Sequence, residues 1–88
     1  MTEKQVQLLG FELKHDDGGG YFGKYRYYTY QVAQGLELIS NASDEVSEDG
    51  EWFIEFVDTE PVIRFTNFKQ AKALINTLEK AKTTIWAS

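Results

Sequence analysis

Short runs of alternating apolar and polar residues, closed by one uninterrupted helical repeat, predict an α+β fold. The expected architecture is an antiparallel sheet of four to five strands, arranged as a meander, with one C-terminal amphipathic helix packed on one face. The helical repeat is the clearest of these signals. The strand-like runs are rich in Tyr, Thr, Val and Ile, which suit a pleated surface. The segments between them are short turns, which favour hairpin pairing over crossover connections.

In chain order, Leu9, Phe11 and Leu13 alternate with Gly10, Glu12 and Lys14, the pattern of a half-buried strand. Val6 and Leu8 have the opposite parity, which places a bulge near Leu9-Gly10. Asp16-Asp17-Gly18-Gly19-Gly20 reads as a loop, and residues 24–32 as a second strand. Gln34-Gly35 is a turn into a short strand at 36–39. Residues 40–50 have turn and acid composition and are expected to be an exposed loop. Residues 51–57 form the next strand, with Trp52, Ile54 and Phe56 on one face. Asp58-Thr59-Glu60-Pro61 turns the chain into a final short strand at 62–65. In the terminal segment, Phe68, Ala71, Leu74, Ile75, Leu78, Ala81 and Ile85 recur at three- and four-residue steps. Asn67 is a suitable N-cap with Gln70 three residues on, so the spacing predicts a helix over 68–83, weakened at its end by Thr83 and Thr84.

One helix covers one face of such a sheet. The helix-facing core is expected to hold Leu9, Phe11, Leu13, Tyr28, Tyr30, Val32, Trp52, Ile54, Phe56, Ile63 and Phe65. Tyr25, Tyr27, Phe53, Val57 and Val62 then fall on the other face, between polar Thr29, Glu55 and Arg64. Either that face is an interface, or Leu36, Leu38 and Ile39 fold over it.

The length of 88 residues suits one domain. A chain of this size buries only roughly 60% of the surface its unfolded form exposes, so the core is thin. Absence of cysteine excludes disulfides, thiolate nucleophiles and Cys-ligated metal. No stretch approaches the roughly 20 apolar residues of a membrane span, and no basic n-region with an apolar run opens the sequence. These features predict a cytoplasmic protein with no membrane partner. Asn41-Ala42-Ser43 matches a glycosylation sequon, which has no meaning without secretion. The net charge is −5, and its placement is uneven. Residues 37–60 hold nine acids and no Lys or Arg, whereas 68–88 hold four lysines against Glu79. This balance argues against direct nucleic-acid binding, which draws its affinity from phosphate neutralisation by a basic surface.

Several near-motifs fail on context. Residues 18–24 read GGGYFGK, matching G-x-G-x-x-G and most of G-x-x-x-x-G-K-[ST]. The eighth position is Tyr25 rather than Ser or Thr, and a strand follows where phosphate binding needs a helix N-terminus. The interleaved aromatics and cations of Tyr21 to Tyr27 resemble a base-stacking surface, but the flanks are acidic. A Ca²⁺ loop beginning at Glu45 would put Phe56 where a bidentate Glu is required. His15 is the only histidine, too little for a transition-metal site or a His-based relay. The abundant carboxylates show no cleft that would separate two pKa values.

The sequence therefore predicts no catalytic residues, no cofactor and no metal. It predicts a small acidic, non-enzymatic protein-interaction module with a protein partner, self-associating as a homodimer through Tyr25, Tyr27, Phe53 and Val57. The alternative is an inhibitor of the phage or mobile-element type. It would present Asp44, Glu45, Glu48, Asp49 and Glu51 to a nucleic-acid-handling protein as a mimic of its phosphates. A small-molecule or enzymatic role ranks third, for want of an apolar pocket with convergent polar groups.

Overall fold

The computed structural model describes residues 1–16, 25–46 and 48–83. The chain forms an α+β fold: a five-stranded antiparallel meander with a C-terminal helix, and a short N-terminal helix in addition. The elements are α1 (Glu3–Leu8), β1 (Glu12–Asp16), β2 (Tyr25–Ala33), β3 (Leu36–Ser40), a 3-10 turn (Ser43–Glu45), β4 (Ile54–Phe56), β5 (Arg64–Phe65) and α2 (Phe68–Ala81). Strand order in the sheet follows chain order. The Gly-rich motif of residues 18–24 and the helix-face residue Ile85 lie outside the described residues.

The N-terminal segment corrects the sequence reading. Where a strand with a bulge near Leu9-Gly10 is expected, residues 3–8 are helical. The cause is a capping box. Thr2 Oγ1 accepts from Gln5 N at 3.1 Å, and Gln5 Oε1 accepts from Thr2 N at 2.9 Å. Gly10, at φ +94°, ends the turn, its N–H donating to Gln7 O at 3.0 Å. An ideal Cβ on Gly10 would come within 3.4 Å of the Tyr30 ring, so the position is doubly suited to glycine.

Register explains most of the core. Tyr28 pairs with Leu13, and Tyr30 with Leu38. Ser40 pairs with Ile54, and Ile54 with Phe65. Because side chains alternate, these residues share one face. On it Val6, Leu9, Phe11, Tyr28, Val32, Leu38, Trp52, Ile54, Ala71 and Ile75 are buried together, with Tyr30, Phe56, Phe65, Phe68 and Leu78 packed against them. One extra residue between Gln31 and Ala33 shifts the β2–β3 register, yet Val32 stays in the core. Two expected core residues are exposed. Leu13 lies on edge strand β1 at 45% exposure, and Ile63 lies ahead of β5 at 44%. Both have the right parity but sit at the margin of the helical cover.

The 40–50 segment is less exposed than its composition suggests. Ser40, Asn41 and Ala42 are buried. Asn41 extends the β3–β4 ladder with its side chain: Phe53 N donates to Asn41 Oδ1 at 3.1 Å while Asn41 N donates to Phe53 O at 3.3 Å. Ser40 Oγ accepts from Tyr28 N at 2.9 Å and donates to Asn41 O at 2.8 Å. Polar residues are thus buried because they complete backbone pairing. The other end of the meander turns at Gln34-Gly35, with Gly35 at φ +88°, and through Asp58 at φ +62°.

Helix α2 starts at its predicted cap, Asn67 Oδ1 accepting from Gln70 N at 3.1 Å. It ends two residues early, Lys82 turning to an extended ψ of 135°. Ala71 and Ile75 are buried, while Phe68, Leu74 and Leu78 are half-buried. Truncation should follow that order. Ile75→Ala is expected to cost about 2–5 kcal/mol. Leu78→Ala should cost about 1–2 kcal/mol, because part of its side chain is already open to solvent and less apolar surface is lost from burial. Urea denaturation of the two variants checks the ranking; an equal or reversed loss would mean that α2 is rotated on the sheet.

Candidate functional site

Both helices lie on the core face, because each is tied to the same side of β2. Tyr28 Oη donates to Glu3 Oε2 of α1 at 2.6 Å and accepts from Gln7 Nε2 at 2.9 Å. Tyr30 Oη donates to Glu79 Oε2 of α2 at 3.0 Å. Arg26 adds a forked pair to Glu3, with Nε to Oε2 at 2.6 Å and Nη2 to Oε1 at 2.8 Å. The Arg26 guanidinium also lies 5.9 Å from the centre of the Trp52 ring, which meets Tyr28 edge-on. Sequence reasoning missed Glu3 and Gln7 as anchors; the Thr2–Gln5 capping signal would have found the helix that carries them.

These contacts set the local ionisation. The hydrogen bond from Arg26 holds the Glu3 carboxyl down at about 2, against the smaller opposing effect of burial. Burial, then the bond to Glu3, raises the Tyr28 phenol; burial, then the bond to Glu79, raises that of Tyr30. The Glu79 carboxyl is lowered mainly by Lys82, 2.5 Å away. All four groups hold structure rather than face a cleft.

The second face carries Tyr25, Tyr27, Thr29 and Gln31 from β2, Glu37 and Ile39 from β3, Glu55 from β4 and Arg64 from β5. Residues 36–40 are a strand within the sheet and do not fold over this face; Leu38 points into the core. Of the four residues expected at an interface, the structure brings together Tyr25 and Tyr27, whose ring centres lie 6.3 Å apart. Phe53 is half-buried and has the Arg64 guanidinium 4.0 Å above its ring, with Arg64 also bound to Glu55 at 2.6 Å. Val57 is not part of that grouping. Its N–H donates to Glu37 O at 3.0 Å, at the opposite end of the sheet. There it lines a separate hollow of about 440 Å³ with Leu36 and Thr59, whose buried hydroxyl has no hydrogen-bond partner.

At the Tyr25 end lies a shallow depression of about 310 Å³, lined by Tyr25, Tyr27, Ile39, Ser40, Ala42 and Glu45. The 3-10 turn is fixed there by Ser43 Oγ, which accepts from Arg26 N at 3.0 Å. The aromatic and acidic candidate sets therefore meet at Glu45. The five candidate acids take several roles. Glu45 Oε1 accepts from Ala42 N at 3.0 Å, Asp49 Oδ1 from Glu51 N at 3.2 Å, and Glu51 Oε2 from the Met1 ammonium at 2.9 Å. Asp44 and Glu48 are exposed. Three of the five expected contact acids thus also hold backbone in place.

His15 lines a hollow with Tyr25, Arg26 and Ser43. Among the described residues, no group of His, Asp or Glu is arranged to hold a metal ion, and no helix is long and apolar enough to cross a membrane. No known protein family, curated protein or solved structure matches the chain.

The Glu3 anchor makes a pH prediction. Its folded pKa, about 2, lies below the ordinary 4.5, so its contribution is complete above pH 4.5 and is lost as pH falls towards 2. Glu3→Gln should cost about 1–2 kcal/mol at neutral pH, discounted for a partly exposed pair. The gap to wild type should narrow as urea denaturation is repeated from pH 7 down to pH 3. A gap constant with pH would show that the carboxylate charge contributes nothing.

Proposed function

We propose that this chain is a non-enzymatic protein-interaction module whose contact surface is the second sheet face, centred on Tyr25, Tyr27 and Ile39. The single observation that carries this reading is the asymmetry of the layers. Both helices are anchored to the Tyr28–Tyr30 side, while half-buried aromatic and aliphatic side chains gather at one end of the other side. Tyrosine suits such a role because it offers a broad apolar body and a polar tip with few rotatable bonds. The Ser40 hydroxyl on the lining of the depression is engaged by Tyr28 N and Asn41 O, in keeping with a structural role.

Two kinds of occupant suit the face. A second copy would relieve the thin core of an 88-residue chain through a symmetric contact. A different protein would exploit the acidic rim that Glu45 supplies. The inhibitor reading draws on the same rim, with exposed Asp44 and Glu48 alongside Asp49 and Glu51 in a surface that imitates phosphates for a nucleic-acid-handling protein. Salt separates these forms, since apolar association resists screening and charge-steered association does not.

Sedimentation at several concentrations and two ionic strengths is the test, with wild type compared to Tyr27→Glu. Salt-insensitive association that Tyr27→Glu abolishes would support a second copy as occupant. A wild type monomeric at high micromolar concentration would remove the dimer. Retention of a host protein that weakens steeply with salt and survives Tyr27→Glu would favour the acidic segment instead of the tyrosine face.

A further inference from the structure

The fold uses one grouping twice within itself. Arg64 lies 4.0 Å above the Phe53 ring and binds Glu55; Arg26 lies 5.9 Å from the Trp52 ring and binds Glu3. In both, a guanidinium is held between an aromatic ring and a carboxylate. The depression at the Tyr25 end presents the same ingredients outward: the Tyr25 and Tyr27 rings, tilted at 40° to each other, and the Glu45 carboxylate. Glu45 uses Oε1 to cap its own turn, and a carboxylate retains further acceptor capacity beyond one such bond.

We propose that this depression receives an arginine side chain from a partner protein other than a second copy, stacked on Tyr25 and Tyr27 with Glu45 as counter-charge. The inference rests on the reading of the second face as the contact surface. Charge complementarity supports it, since Glu45 lines the depression and Asp44 of the same 3-10 turn is exposed. Arginine fits better than lysine because its planar, weakly hydrated guanidinium stacks on rings and pairs with a carboxylate at once. This chain is a poor donor of that arginine, because Arg26 and Arg64 are both engaged by their own glutamates. Lys14 stands beside Tyr27 on this face, but its ammonium is drawn to Glu12 at 3.4 Å.

The test is an amide NMR titration of the full chain with N-acetyl-arginine amide, and with its uncharged isostere N-acetyl-citrulline amide. The expected result is saturable shifts at Tyr27, Ile39 and Glu45 with the arginine compound alone. Glu45→Gln, which keeps the capping acceptor, should weaken binding about three- to tenfold. Equal shifts with the citrulline compound, shifts confined to Asp44 and Glu48, or no shifts would each overturn the proposal. Failure here, with association that Tyr27→Glu still abolishes, would leave the contact-surface reading standing; loss of both would end it as well.

Discussion

Strand β2 is the element on which the two layers depend, because it presents Tyr28 and Tyr30 to the same side and each phenol binds a glutamate on a different helix. Tyr28 reaches Glu3 on α1, and Tyr30 reaches Glu79 on α2. Alternation along a strand makes the consequence unavoidable. With both even-numbered tyrosines committed to the helices, the odd-numbered Tyr25 and Tyr27 must face away. The thin core is therefore built entirely on one side, and the aromatic content of β2 is divided between packing and the opposite surface. Arg26 strengthens the arrangement at the α1 end, where a forked ion pair and a phenol converge on one carboxylate.

The parts of the fold visible in the sequence are those whose signal is periodic and long. In α2 the apolar repeat runs without Gly or Pro, and Asn67 is both the predicted and the observed cap. The alternation in residues 24–32 and 51–57 placed Tyr28, Val32, Trp52 and Ile54 correctly in the core. Helix α1 was invisible to that approach. Val6, Leu8, Leu9 and Phe11 satisfy strand alternation only by invoking a bulge, and six residues give too little length for a helical period to stand out. Its signature was chemical rather than periodic, in the reciprocal Thr2 and Gln5 bonds. Asn41 shows a second kind of failure. A polar residue between Ser and Ala reads as a turn, yet it is buried because its amide replaces a missing rung of the ladder. Leu13 and Ile63 show a third: parity gives the face, but not how far the helices reach across it.

The same distinction governs the candidate site. Parity was enough to put Tyr25, Tyr27, Phe53 and Val57 on one side, but a site requires neighbours, and neighbours depend on register. Register sets Val57 opposite Glu37 and away from Tyr25, and brings in Ile39, which pairs with Thr29. Arg64 is laid on Phe53 because Glu55 and Arg64 face each other across β4 and β5. Glu45 reaches the tyrosines only because the 3-10 turn folds back on the start of β2 through Ser43. None of these placements has a local sequence signature; each is a product of pairing between segments.

Charge gives the second face a direction that its apolar residues alone would not. The described arginines are consumed internally, Arg26 by Glu3 on the core side and Arg64 by Glu55 at the β5 side. Lys14 is partly offset by Glu12. Glu45, Asp49 and Glu51 of the β3–β4 connection each accept a hydrogen bond from a nearby backbone or terminal N–H. At the Tyr25 end the Glu45 carboxylate lines the depression beside rings whose faces are themselves electron-rich. Both contributions have the same sign. On the proposed reading, a planar cation would gain from the rings and the carboxylate together, whereas a neutral apolar surface would gain only area.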